Sequence, residues 1–281
     1  MSDPATPPKA DVGIAAFFDV DNTIIRGASA FHIARGLKAR GFFTFRDIAR
    51  FGFEQLKYTL FGESQEQMDA IRNEAMSIIK GWSVAEMAAI GEEVWDEVLA
   101  LRIYDGTKAI MDEHLAQGHQ VWLVTASPVE IGRLIARKMG ATGALGTVPE
   151  HRGGYYTGKL IGGLLHGEAK AVAIRQLADE SNIDLSQSFA YGDSMNDAAM
   201  LSLVGRPCAI NPDTKLQREA RRHGWPIEEF RKRRKSGRRG IVKASVTGSV
   251  WVTLAVTRGI KKSICAPFRR STDGPAEARG L

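Results

Sequence analysis

An apolar run that stops abruptly at two carboxylates sets the terms for this chain: Ala15-Ala16-Phe17-Phe18-Asp19-Val20-Asp21-Asn22-Thr23. A short apolar run with a polar break reads as a strand buried on both faces. Its two acids then stand at the strand's carboxyl end, which is where an open α/β sheet takes its ligands. Carboxylates one residue apart in that place suit a hard divalent cation, and they equally suit a cap on the next turn. The run alone does not separate the two.

Three later stretches do. His119-Gln120-Val121-Trp122-Leu123-Val124 predicts a buried strand that delivers Thr125, and Ser127-Pro128 predicts an N-cap and first-turn proline for a helix ending at Gly140. Thr125 would then face a helix N-terminus, whose N–H groups and dipole favour phosphate. Glu168-Ala169-Lys170 opens a further helix. Phe189-Ala190-Tyr191-Gly192 predicts a strand, and Asp193-Ser194-Met195-Asn196-Asp197 crowds two more carboxylates and an amide into the turn after it. Such crowding is costly by mutual repulsion unless a cation offsets it. Arg206–Ile210 reads as a last strand, followed by a helix from Asp213 to Arg222. Gly153-Gly154-Tyr155-Tyr156-Thr157-Gly158-Lys159 approaches a phosphate-loop pattern, but Leu160 stands where a hydroxyl is needed, so the run reads as a hairpin.

Strands alternating with helices give an α/β class, a Rossmann-like, doubly wound, mostly parallel sheet. The core would comprise residues 13–26 and 103–230. Residues 27–102 show helical spacing throughout, including the capping pattern Ser83-Val84-Ala85-Glu86 and the stripe Met87, Ile90, Val94, Val98 and Leu101. They read as an inserted all-helical cap. Residues 1–12 read as a disordered leader without the basic-then-apolar order of a secretory signal. Two cysteines far apart, Cys208 and Cys265, suggest neither a disulfide framework nor a zinc site, and fit a reducing, cytoplasmic setting.

The four stretches, in this order, resemble the motifs of the haloacid dehalogenase superfamily, and within it the subfamily (IB) that holds the phosphoserine phosphatases. Asp19-Val20-Asp21-Asn22-Thr23 is similar to the first motif, Thr125 to the second, Lys170 to the third, and Gly192–Asp197 to the fourth. The resemblance implies a phosphoric monoester hydrolase that uses Mg²⁺ and an aspartyl-phosphate intermediate on a small phosphorylated metabolite. It assigns catalysis to Asp19 and Asp21, phosphate binding to Thr125, Ala126, Lys170 and Asn196, and the metal to Asp19, Asp21 and Asp193, with Asp197 supporting them. A phosphotransferase or mutase would use the same intermediate. Where the phosphoserine enzymes carry a glutamate for the substrate ammonium this chain has Ala28, and Ala126-Ser127 replace glycines. A phosphoserine-like substrate would therefore meet a site lacking that counter-charge.

The net charge of +6 hides two bodies. Residues 231–281 carry 14 Lys/Arg against Asp273 and Glu277, whereas the remainder is acidic. Within this tail Ala244–Thr257 is uncharged, too short and too rich in Ser and Thr to read as a spanning helix. Basic flanks around an apolar centre fit peripheral binding to an anionic membrane's inner face, nucleic-acid binding, a regulatory binding role, or a disordered solubilising tail. Cosedimentation separates these readings. If the tail binds lipid, deleting residues 231–281 removes a salt-sensitive fraction bound to phosphatidylserine vesicles. If truncation changes retention on neither vesicles nor duplex DNA, the solubilising reading stands.

Overall fold

The structure is a computed structural model that describes residues 13–29, 32 and 79–231, all within one compact unit. The leader, most of the expected cap and the tail beyond Arg231 lie outside the described residues.

Strand β1 (Ala15–Asp19) is buried along its whole length. It pairs in parallel with β2 (Gln120–Pro128) on one side, Phe18 opposite Leu123, and with β5 (Phe189–Gly192) on the other, Phe18 opposite Tyr191. Outward from β2 come β3 (Gly143–Arg152) and β4 (Tyr155–Ile161), and outward from β5 come β6 (Arg206–Ile210) and β7 (Ile227–Glu228). Every pairing is parallel except the β3–β4 hairpin. This is the doubly wound α/β sheet the sequence predicts, and its winding reverses between β1 and β5.

Alternation along β1 divides the core into two layers. Ala16, Phe18 and Val20 join Val121, Leu123 and Tyr191. Against them pack Met87, Ile90 and Val94 of α1 (Val84–Val94), Met111 of α2 (Asp105–Ala116) and Ile131, Leu134 and Ile135 of α3 (Val129–Met139). Ala15 and Phe17 face the other way, with Val124, Ala190 and Ala209. There they meet Ile174 and Ala178 of α4 (Glu168–Ser181), Met200 and Leu201 of α5 (Ala198–Leu203) and Leu216 and Ala220 of α6 (Thr214–His223). Phe17 and Phe18 on opposite faces each contribute about 1.5–3 kcal/mol of burial.

The expected hairpin is present: Gly153 and Gly154 take φ of 58° and 83°, the left-handed pair a tight hairpin turn needs. Hydrogen bonds from Gly81 N to Tyr156 O (2.8 Å) and from Tyr156 N to Trp82 O (2.9 Å) stitch the incoming chain to β4.

Two local expectations are corrected. β2 does not stop at Val124 but continues to Pro128, with an irregularity that carries the pairing from Thr125–Gly146 to Pro128–Thr147. Ser127 therefore does not cap α3. The residue before that helix is Pro128, extended at φ −51° and ψ 138°, and it makes no side-chain cap hydrogen bond. The second concerns the stripe through α1. Ser83 caps the helix as expected, but a single π turn, Trp95–Leu99, follows it. A wider turn shifts the buried stripe by one position, so Leu99 is fully buried and Leu101 is 78% exposed. Leu99→Ala should accordingly cost about 2–5 kcal/mol, and Leu101→Ala less than about 0.5 kcal/mol. Urea titration of both variants checks the order; the reverse order would restore a regular helix through Leu101.

Candidate active site

Strand register brings the charged groups together. Asp19, two residues beyond Phe17 on β1, has the parity of the α4-facing layer. Lys170 lies in the first turn of that helix. The Lys170 ammonium is 3% exposed and donates to Asp19 Oδ1 and Asp197 Oδ1, each at 2.6 Å. Asp197, 1% exposed, ends the short turn Met195–Asp197 after β5. Its other oxygen, Oδ2, accepts from Asp193 N, Ser194 N and Ser194 Oγ, all at 3.2 Å. Both Asp197 oxygens are thus committed to holding Lys170 and the turn. The turn is tight enough that a Cβ on Gly192 would fall 2.5 Å from the Asp197 Cβ, so this position takes only glycine without rearrangement.

One oxygen each from Asp19, Asp193 and Asp197 lies within 4.8 Å of the others. Burial first, then the Asp197 charge, pushes Asp19 up to about 8 against the pull of Lys170. Burial first, then the Asp19 and Asp197 charges, pushes Asp193 up to about 9. Burial also raises Asp21, with hydrogen bonds from Ser29 opposing it. Burial works against the Lys170 charge, but Asp19 and Asp197 outweigh it and hold that ammonium above its usual range. The acids are one cation short of balance. An all-oxygen donor set with this deficit fits Mg²⁺, a hard cation. Asp19 Oδ2 and the Asp193 carboxylate accept none of the hydrogen bonds described, whereas both Asp197 oxygens already do.

Thr125 lies near the end of β2, where the pairing becomes irregular; it is 1% exposed, and its Oγ1 accepts from Ser127 N at 3.1 Å. The Ala126 carbonyl accepts from Thr147 Oγ1 at 2.7 Å, and that hydroxyl accepts from Leu165 N at 3.1 Å. These bonds tie the β2 tip to β3 and to the loop leading into α4. Asp21 Oδ1 accepts from Ser29 N at 2.7 Å. Asn196 is exposed on the outside of its turn, away from the contacts that fix Asp197. The carboxylates, Lys170 and Thr125 thus sit on strand and helix ends of one sheet edge.

Sequence reasoning passed over Asn211. It is buried, at φ 49°; its Nδ2 donates to Asn22 O at 3.1 Å, and its Oδ1 accepts from Phe230 N at 2.7 Å. One amide thus secures the loop after Asp21 to the end of the described chain. An asparagine directly after the apolar run Cys208-Ala209-Ile210 was the available signal. Ser29 and Ser127 were also missed as a contacting pair; nothing in a sequence marks serines 98 residues apart as neighbours.

Comparison with known proteins agrees with this geometry. Residues 16–202 match the haloacid dehalogenase-like hydrolase family. A phosphoserine phosphatase of Mycobacterium tuberculosis, SerB1, is 48% identical over 257 residues, which is 91% of this chain and 83% of its own. A histidinol-phosphatase of Neisseria meningitidis is 28% identical over 77% of this chain and 98% of its own. A crystal structure of a Bordetella pertussis protein of unknown function superposes with a TM-score of 0.69 at 28% identity, over 78% of this chain and 99% of that one.

The raised carboxylates carry a pH signature. From the ordinary 3.8 up to about 8 for Asp19 and about 9 for Asp193, the folded chain keeps protons that the unfolded chain has released. Stability of the metal-free protein from these groups is therefore full below pH 3.8 and lost as pH rises through that window. Mg²⁺ should raise the melting temperature most at the alkaline end, where it displaces no protons. Melting curves in EDTA and in Mg²⁺ from pH 5 to 9 check this, and an Mg²⁺ gain that shrinks with pH would contradict it. Asp193→Asn should raise the metal-free melting temperature at pH 8 and remove most of the Mg²⁺ gain.

Proposed function

This chain belongs to the haloacid dehalogenase-like hydrolases and has the phosphatase activity of that family, and we propose that it is a Mg²⁺-dependent phosphomonoesterase for small organic phosphates working through an aspartyl-phosphate. The observation that carries this reading is the buried Lys170 bridge between Asp19 and Asp197, with Asp193 beside it and one divalent cation needed to balance the three carboxylates.

In this reading an Asp19 carboxylate oxygen attacks phosphorus in line. The bond from phosphorus to the leaving oxygen breaks, and Asp21 gives its proton to that oxygen. Water then attacks the aspartyl-phosphate, Asp21 takes the water's proton, and the phosphorus–Asp19 bond breaks to free inorganic phosphate. Both carboxylates return to their starting states. Lys170 and the Thr125 hydroxyl, with Ala126 beside it, would meet the phosphoryl oxygens, where negative charge concentrates as the reaction proceeds. Asp197 holds the lysine in place for that task. Asp19, Asp193 and the Asp21 carbonyl would hold Mg²⁺, which supplies further positive charge at the phosphoryl group when bound. Asn196, exposed here, would act only by reaching inward to bound substrate.

Two similar proteins are named for phosphoserine and for histidinol phosphate. Both names support a small phosphomonoester as substrate. Phosphoserine enters as the first candidate, although Ala28 gives its ammonium no carboxylate at the position where the phosphoserine enzymes have one.

Phosphate release from a panel of small phosphates, phosphoserine included, tests the proposal. Wild type should release phosphate with Mg²⁺ and not with EDTA. Asp19→Asn should reduce release to the buffer background. Lys170→Ala should both remove activity and destabilise the protein by about 3–5 kcal/mol, because it leaves buried carboxylates unpaired. A folded Asp19→Asn variant with wild-type turnover would end this reading.

A further inference from the structure

Two buried serines outside the set of charged residues join its parts. Ser29 is 0% exposed and Ser127 5%, and their hydroxyls lie 3.1 Å apart. Each also makes a main-chain contact to a residue of the site. Ser29 N donates to Asp21 Oδ1 at 2.7 Å, and Ser127 N donates to Thr125 Oγ1 at 3.1 Å. The result is one continuous chain of contacts from Asp21 through Ser29 and Ser127 to Thr125. It spans the gap between the loop after β1 and the tip of β2, across the place where phosphate enters in the reading above.

We infer that Ser29 and Ser127 are positioning residues: their hydroxyl–hydroxyl bond fixes the Asp21 carboxyl relative to Thr125, and so relative to the oxygen that leaves phosphorus. The inference rests on the assignment of Asp21 as the proton donor. Ser29 N holds Asp21 Oδ1, and the Ser29 hydroxyl also bears on the Asp21 carboxyl. A carboxyl delivers its proton only from hydrogen-bond distance. Nothing else among the described hydrogen bonds joins the segment at Ser29 to the β2 tip. Without the hydroxyl pair, Ser29 N still reaches Asp21, but the segment bearing both is released from Thr125. Displacement by about an ångström can cost on the order of a hundredfold in rate.

A merely structural pair and a positioning pair differ in how their loss depends on the leaving group. An alkoxide is a far stronger base than p-nitrophenolate, so its departure needs the Asp21 proton and that of p-nitrophenolate does not. The quantity kcat/KM reports the steps up to that departure. We would measure it for p-nitrophenyl phosphate and for the best alkyl phosphate of the panel. Ser29→Ala and Ser127→Ala should each lower the alkyl value by about ten- to a hundredfold, and the aryl value by less than about threefold. The double variant should be no worse than Ser29→Ala alone, which already removes the shared bond together with the Ser29 hydroxyl's contact with Asp21. Ser127→Thr, which keeps a hydroxyl, should restore most of the alkyl activity. Equal losses on both substrates in variants with wild-type melting temperatures would overturn the inference, as would losses that multiply in the double variant. The underlying reading fails separately: Asp19→Asn would then retain activity, or the wild type would turn over no alkyl phosphate.

Discussion

A single buried ammonium is the constraint on which the rest of this site depends. Lys170 is removed from water almost completely, and that is tolerable only because Asp19 and Asp197 both lie 2.6 Å away. One acid ends β1 and the other lies in the turn after β5, so the lysine ties these two places together. Asp197 in turn spends its remaining oxygen on the main chain of Asp193 and Ser194. The turn can close that tightly because residue 192 has no side chain. Charge, turn and glycine form one dependent set, and none of them has a purpose alone.

The sheet explains why the set is where it is. Strand order reverses between β1 and β5, and the chain leaves these two strands towards opposite ends of the sheet. At such a point the carboxyl ends of neighbouring strands open a crevice. Asp19 and Asp193 stand on its two sides. The buried hydroxyl of Thr125 comes from the next strand along, and Lys170 rises from the helix that covers one face. A fold held by apolar layers on both faces thus presents its polar residues along one edge. Apolar packing and buried charge are kept apart: Phe17 and Phe18 belong to the first and Asp19, the next residue, to the second.

Much of this was legible in the sequence, for identifiable reasons. Strand β1 is a run of apolar residues ended by acids, and no other element accommodates that pattern as cheaply. The hairpin at Gly153-Gly154 follows from backbone angles that glycine adopts freely. The helix starting at Glu168 and the strand ending at Gly192 were equally plain. The end of β2 was misread because Ser127-Pro128 has the composition of a helix start, whereas pairing with Thr147 keeps the chain extended to Pro128. Leu101 was misread because a π turn adds to the helix without any mark in the residues that form it. In both cases a neighbour distant in sequence overrode a local preference.

The sequence by itself determined the class of fold and the residue types of the chemistry. Periodicity, turn residues and acids at strand ends are local properties, and local physics acts on them in any context. Only the tertiary structure decided which partners those residues meet. It gave both Asp197 oxygens to Lys170 and the turn, leaving Asp19 and Asp193 with oxygens to offer a cation. It placed Asn211 beneath the Asn22 carbonyl and set Ser29 against Ser127. Apart from the bonds within the turn, these choices join residues 27 to 189 positions apart. They arise from strand register and layer packing, which fix distances that no stretch of sequence contains.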